Sequence, residues 1–271
     1  MNKTILITGA STGIGRETAV FFAEKGWNVA ATMRTIEKGK DLLKYPNLKT
    51  LSLDVVDETS IQKAIVDTIT FFGQIDVLFN NAGYALFGAF EAMSGEQIKH
   101  QFETNVFGAM NVTKAILPHF RAKQNGTIIT TTSVGGLISF PSASVYNSTK
   151  WALEGFLEGL QFELKQFNIK IKNIEPGGIR SEFENAMNFV SNEDYDSYTK
   201  ITYKNMLDAY KTNPTAEIVG KKVWQAANDP SSRLRYAVGP QPSLLLFMRW
   251  LLPLSWLTKM ISSLSEKGFK K

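Results

Sequence analysis

Short runs of branched and apolar residues alternate along the chain with longer stretches of helical periodicity. Strands are predicted at about 3–8, 28–33, 48–53, 75–80, 126–132, 169–175 and 235–238, with helices between them. The first run, Lys3-Thr4-Ile5-Leu6-Ile7-Thr8, is nearly continuous in apolar and β-branched residues, as a strand buried on both faces would be. Strand and helix in alternation predict a parallel sheet covered on both sides by helices. Right-handed crossovers then make it a doubly wound, mostly parallel seven-stranded sheet in a single α/β domain, with ligand at the carboxyl ends of the strands.

Two segments depart from that pattern. Residues 181–212 are polar and irregular around Ser191-Asn192-Glu193-Asp194, and a long insertion of this kind beside a site predicts a lid. Residues 241–271 form an apolar C-terminal extension of the domain that spans 1–240, with Leu244-Leu245-Leu246-Phe247-Met248, Trp250-Leu251-Leu252 and Trp256-Leu257. Arg249, Pro253 and Lys259 interrupt it, which argues against a membrane-spanning helix. Beyond Pro253, residues Leu254, Leu257, Met260, Ile261 and Leu264 trace one helical stripe, expected to pack within the protein or its oligomer in preference to a membrane surface.

Composition narrows the chemistry. The chain has 271 residues, suited to one large domain, and no cysteine, so it holds neither disulfides nor thiolate metal sites. The lack of cysteine suits a reducing cytoplasm, and the N-terminus enters a strand at once, which leaves no room for a signal peptide. The formal charge of +5 is scattered, without a basic stripe interleaved with aromatics, so nucleic acid is not an expected partner. His100 and His119 match no ligand spacing and read as structural, so no metal is expected.

The first strand runs directly into Gly9-Ala10-Ser11-Thr12-Gly13-Ile14-Gly15, and Arg16 to Lys25 has helical spacing that stops at Gly26. In a strand–glycine turn–helix unit, backbone N–H groups and the helix N-terminus offer a cradle for a pyrophosphate. Further on, Thr130-Thr131-Thr132-Ser133 closes a strand, and Tyr146-Asn147-Ser148-Thr149-Lys150 follows. A Tyr-x-x-x-Lys pair on a helix puts a phenol and an ammonium on one face, one turn apart. A free phenol near pKa ~10 is poorly matched to neutral pH, and a neighbouring cation favours its ionised form. The product is a general acid/base, with the Ser133 hydroxyl able to polarise a substrate oxygen. Asn105 sits inside the helical stretch Glu96 to Ala115, where Asn competes for backbone hydrogen bonds.

These motifs, with Asn80-Asn81-Ala82-Gly83 and Pro176-Gly177-Gly178, resemble the short-chain dehydrogenase/reductase family from about residue 3 to about residue 240. The resemblance implies a Rossmann-like fold and a nicotinamide dinucleotide on the glycine turn (Gly9, Ser11, Thr12, Gly13, Ile14, Gly15). It implies that Asn105, Ser133, Tyr146 and Lys150 form the catalytic set, with Asn105 bending its helix and holding a water in a proton path to Lys150. Lys150 would also meet the nicotinamide ribose. Asp54 is implied beside the adenine, and Asn81, Ala82, Gly83, Pro176, Gly177 and Ile179 along the cofactor. Ser181 stands where the family often has Thr after Pro-Gly, and retains the hydroxyl.

The second strand ends at Met33-Arg34, without the acidic residue that commonly binds a ribose 2′-hydroxyl. Arg34 offers a guanidinium to a 2′-phosphate, so NADP(H) is favoured over NAD(H). Tyr84, Leu86, Phe87, Leu137, Ile138, Phe140, Phe183, Met187 and Phe189 flank the motifs and suggest a small hydrophobic alcohol or carbonyl substrate, with part of the set in the core. Glu182 and Glu184 read as solvated lid residues. The expected protein is thus a cytoplasmic NADP-dependent alcohol dehydrogenase or carbonyl reductase, a homodimer or homotetramer. The alternatives are a catalytically silent dinucleotide-sensing regulator, which has no need of a tuned phenol, and a sugar-nucleotide epimerase or dehydratase, which needs a larger substrate domain.

Overall fold

A computed structural model describes residues 2–239 and 242–269. In chain order the elements are β1 (Thr4–Ile7), α1 (Gly13–Glu24), β2 (Asn28–Met33), β3 (Leu48–Ser52), α2 (Glu58–Phe72), β4 (Val77–Asn80), β5 (Ala85–Gly88), α3 (Gly95–Phe102) and α4 (Gly108–Lys123). There follow β6 (Gly126–Thr131), α5 (Ser144–Leu164), β7 (Ile169–Pro176), β8 (Met187–Val190), α6 (Asp196–Lys211), α7 (Glu217–Asn228), β9 (Arg235–Val238), α8 (Pro242–Leu251) and α9 (Leu254–Ser265). All seven anticipated strands form one parallel sheet in the order β3-β2-β1-β4-β6-β7-β9.

Side-chain alternation explains why those strands are apolar throughout. Ile5, Ile7, Val29, Ala31 and Phe79 point to one face, where they meet Phe22 of α1 and Val219 and Val223 of α7. Leu6, Ala30, Leu78 and Ile128 point to the other, against Ile61 of α2, Val112 and Ile116 of α4, and Leu153 and Leu157 of α5. With both faces covered, neither set can be polar. The chain winds outward from β1 in one direction and from β4 in the other. Their adjacent carboxyl ends therefore open a crevice at the switch point.

Three details differ from the sequence expectation. The helix anticipated from Glu96 to Ala115 runs as α3 and α4, joined by a π-helical turn at Glu103–Phe107 that contains Asn105. The 181–212 insertion is not irregular: it holds a short turn at Glu182–Ala186, β8 and the 16-residue α6. β8 pairs with β5 in a separate two-stranded parallel sheet, Phe87 opposite Phe189. The C-terminal stripe is only partly covered. Leu257 and Ile261 are buried against Val134 and Ile138, while Leu254 and Leu264 stay exposed because only one side of α9 meets the domain. Among the described residues no helix is long and apolar enough to cross a membrane.

Candidate active site

The glycine turn is tied to the β4 edge by a small polar network. Thr8 Oγ1 accepts from the Asn81 and Ala82 backbone N–H groups at 2.9 and 3.1 Å. Asn81 Nδ2 donates to Thr8 O and Gly9 O at 3.2 and 3.1 Å, and Thr131 Oγ1 donates to Asn81 Oδ1 at 3.2 Å. One side chain thus fixes the ends of β1, β4 and β6 relative to one another. A Cβ on Gly15 would press on the Gly9 carbonyl and come within 2.6 Å of Asn81 Nδ2, so only glycine lets the α1 N-terminus lie this close.

Whether this cradle accepts an anion is answered by Glu182. Its carboxylate Oε2 accepts from Gly13 N at 3.0 Å, across 169 residues of sequence. The expectation of a merely solvated lid residue is corrected here: the side chain is exposed yet sits on the helix N-terminus, where the free N–H groups and the helix dipole favour negative charge. The residues present therefore fit a dinucleotide pyrophosphate at the glycine turn.

The other residues assigned to the cofactor lie along the same carboxyl edge. Arg34 follows β2 and is exposed, next to buried Met33. Arg16, on the first turn of α1, pairs with Asp41 in the segment that follows β2. Asp54 follows β3, half-buried, and accepts from the Val56 N–H at 3.2 Å. Pro176 ends β7, and Gly177 N donates to Val238 O at 3.0 Å. The Ile179 side chain packs into the core, so only its backbone is left to face a ligand. Ser11 is half-buried and Thr12 exposed on the glycine turn, and Gly83 sits against the Asn105 amide.

Asn105, Ser133, Tyr146 and Lys150 converge beside that edge. Ser133 Oγ accepts from Gly135 N at 2.9 Å, and Oγ and the Tyr146 ring flank Gly135. Lys150 is 7% exposed; its Nζ donates to Thr131 O at 2.9 Å and lies 5.7 Å from the Tyr146 ring centroid. Asn105 is held at both amide atoms by the backbone of Tyr84, with Oδ1 accepting at 3.0 Å and Nδ2 donating at 2.9 Å. Its Nδ2 also reaches Thr149 Oγ1 at 3.3 Å. The amide thereby locks the β4–β5 connection to the helix that carries Tyr146 and Lys150.

The electrostatics of the free protein run against one sequence expectation. Lys150 does not depress the Tyr146 phenol here. Burial dominates and pushes it up to about 12, although part of the residue still meets solvent; hydrogen bonding from Ser133 pulls the other way. The ammonium is held on Thr131 instead. Burial brings Lys150 itself down to about 8, opposed by the charge of Glu154 one turn further along α5.

Apolar residues wall one side of the phenol. The Phe87 and Phe183 rings stand 5.5 and 6.4 Å from Tyr146, and Phe140, Met187, Phe189 and Met206 complete the cluster. The remaining residues of the anticipated wall divide. Leu86 packs with Met93 and Val145, Ile138 with the C-terminal helices, and Tyr84 beside His100. His119, read from the sequence as structural, is half-buried and accepts from Ile75 N at 3.1 Å, and burial lowers its pKa.

Sequence reasoning assigned no separate role to Thr8, Thr131 or Glu154, and read Glu182 as solvated. Glu154 carried a visible signal, since Tyr146, Lys150 and Glu154 follow one another at four-residue spacing on α5. Thr8 and Thr131 showed only their place at strand ends, and nothing local marks the reach of Glu182 to Gly13.

A family model described as short chain dehydrogenase matches residues 3–190. Among relatives, 3-ketodihydrosphingosine reductase of Bacteroides thetaiotaomicron is 37% identical over 203 residues, covering 73% of this chain and 74% of its own. Among solved structures, a short-chain dehydrogenase from Streptomyces avermitilis superposes with a TM-score of 0.85 at 32% identity, covering 96% of each chain. The NADP-bound structure of ElxO superposes with a TM-score of 0.74 at 29% identity, covering 88% of this chain and 98% of that one. The sheet order, the two edge motifs and these similarities agree, and the chain belongs to the short-chain dehydrogenase/reductase family of oxidoreductases.

Proposed function

We propose that the protein transfers hydride between a nicotinamide dinucleotide, NADP(H) in preference to NAD(H), and a hydrophobic alcohol or carbonyl compound. The observation that carries this reading is the Tyr146 phenol, set between Ser133 and the Lys150 ammonium and faced by the Phe87–Phe183 wall. A bound nicotinamide supplies the hydride and, once oxidised, a positive charge that favours the phenolate. The glycine turn, Arg34, Asp54, the Asn81–Gly83 loop and the Pro176–Ile179 turn hold the dinucleotide. Ser133 orients the substrate oxygen, and Tyr146 donates a proton to it in reduction or accepts one in oxidation. Lys150 holds positive charge beside the phenol, and Asn105 positions the Tyr84 loop and the Thr149–Lys150 turn.

A lipid-like carbonyl is favoured by the aromatic and methionine wall and by the relative that reduces 3-ketodihydrosphingosine. The stretch 181–212 acts as the lid, because Phe183, Met187 and Phe189 form part of that wall. The same reading takes the protein to be a cytoplasmic homodimer or homotetramer. A screen of both dinucleotides against aldehydes, long-chain ketones and steroid-like carbonyls tests it: oxidation of NADPH with an apolar ketone supports it, and activity confined to small polar carbonyls contradicts it.

Two further results are expected. Arg34→Ala should weaken NADPH binding about ten-fold or more while leaving NADH nearly unchanged, since a charge-assisted hydrogen bond contributes ~1.5–3 kcal/mol. Dissociation constants by fluorescence titration check this; equal affinities for the two dinucleotides in the unaltered protein would refute the preference. The second concerns pH. The Lys150 value of about 8 lies below its ordinary 10.5, so the ammonium is complete below pH 7 and lost above 8. Tyr146, at about 12, stays protonated throughout that range. The reductive kcat/KM measured against dinucleotide concentration reports the free protein. It should be level at low pH and decline roughly ten-fold per unit above about 8. A profile level to pH 10 would contradict the requirement for a charged Lys150.

A further inference from the structure

We propose that α8 and α9 form a docking surface for an anionic lipid bilayer. The inference is independent of the reaction and rests on the outer side of these two helices. Their inner side anchors them: Leu257 and Ile261 are buried against Val134 and Ile138, with Leu245, Leu246 and Met248 packed on the same cluster. Among the described residues, the opposite side stays open to solvent. Trp250 is 80% exposed, Trp256 65%, Leu254 60% and Phe247 54%, and Leu244 and Leu251 join them.

Single exposed apolar residues are ordinary, but a contiguous group containing two tryptophans marks an interaction surface. On α8, Leu244, Phe247 and Leu251 recur at three- and four-residue spacing and are exposed, and Leu254 is exposed at the start of α9. Indole rings favour the boundary between water and acyl chains, because one end is apolar and the other donates a hydrogen bond. Spanning is not an option. α8 has 10 residues and α9 has 12, with Pro253 between them, so the pair suits a shallow position in the plane of the interface.

Charge decides between lipid and a second copy of the chain. From Pro242 to Ser265 the charged residues are Arg249 and Lys259, both cationic, with no acid. Glu266, the next carboxylate, is engaged by Tyr198 and Ser262. Arg249 is half-buried over the Trp151 ring, which leaves Lys259 as the exposed charge of the two helices; a two-fold contact through them would set Lys259 against its copy with no carboxylate of α8 or α9 to pair it. An anionic bilayer supplies the missing counter-charge, and Lys267 adds to the attraction. Because Val134 adjoins Ser133 and packs in one cluster with Leu257 and Ile261, docking through α8 and α9 brings the Ser133 loop toward the bilayer.

Co-sedimentation with vesicles tests the proposal. The protein should pellet with vesicles of equal parts phosphatidylglycerol and phosphatidylcholine, and at least about ten-fold less with phosphatidylcholine alone. Trp250→Ser combined with Leu251→Ser changes two exposed positions and should reduce vesicle binding at least about ten-fold, with dinucleotide binding and thermal midpoint unaltered. Should that variant fold poorly, quenching of tryptophan fluorescence by brominated acyl chains in the unaltered protein provides the same readout. Absence of binding and quenching with anionic vesicles would overturn the proposal, as would undiminished binding of a folded variant. Equal binding to both vesicle types would overturn the charge argument. A concentration-dependent dimer that the substitutions dissolve, without vesicle binding, would assign the surface to a second copy.

Discussion

Tyr146→Phe should abolish turnover while leaving dinucleotide binding nearly unchanged. The phenol is protonated across the physiological range and lies beside Ser133, so it is the group able to give a proton to a carbonyl oxygen. Phe keeps the ring that packs between Phe87 and Phe183 and removes only the hydroxyl, so the wall should persist. Loss of general acid catalysis lowers the rate by ~100–10,000-fold. Steady-state kinetics together with a dinucleotide titration separate the two effects. A variant that retains more than about a tenth of the rate on a good substrate would remove Tyr146 from the role, since even weak acid catalysis exceeds that.

Gly15→Val should cost binding instead of chemistry. The new Cβ would meet Asn81 Nδ2 at 2.6 Å and push against the Gly9 carbonyl, and Asn81 holds three strand ends together. The turn must open, and overpacking of this kind destabilises by ~1–3 kcal/mol. We expect dinucleotide affinity to fall at least about 100-fold, since the cradle works only when its N–H groups converge. Gly155→Ala is the matched control. An added Cβ there meets nothing within 4 Å on α5, and the fold should gain about 0.5–1 kcal/mol from helix propensity. Calorimetry and titration of both variants check the contrast. Unchanged affinity in Gly15→Val would show that the turn does not carry the dinucleotide.

The main sheet was legible because burial on both faces leaves a strong local signal, as in Ile5-Leu6-Ile7 with its neighbours sent to opposite layers. β5 and β8 left none. Each has four residues, and they form only because Ala85–Gly88 meets Met187–Val190 a hundred positions away. α6 was hidden behind the acidic, serine-rich stretch that precedes it. In the site, the positions of Ser133, Tyr146 and Lys150 followed from spacing. The ionisation of Tyr146 did not, because it depends on enclosure by Phe87 and Phe183 and on where the Lys150 ammonium is bound. Asn105 was conspicuous as a poor mid-helix residue, and the π-helical turn accounts for it. The contact of Glu182 with Gly13 joins segments 169 residues apart and has no sequence signature.

Isotope transfer tests the central claim most directly. The protein would be given NADPH deuterated at the transferable C4 position and a long-chain apolar ketone, and the alcohol analysed by mass spectrometry. The account predicts one deuterium on the carbinol carbon for each dinucleotide oxidised, and none with Tyr146→Phe. Tight binding of the dinucleotide, with no deuterium delivered to any carbonyl and no reduction of NADP by the matching alcohols, would contradict it and leave a protein that binds the cofactor without using it.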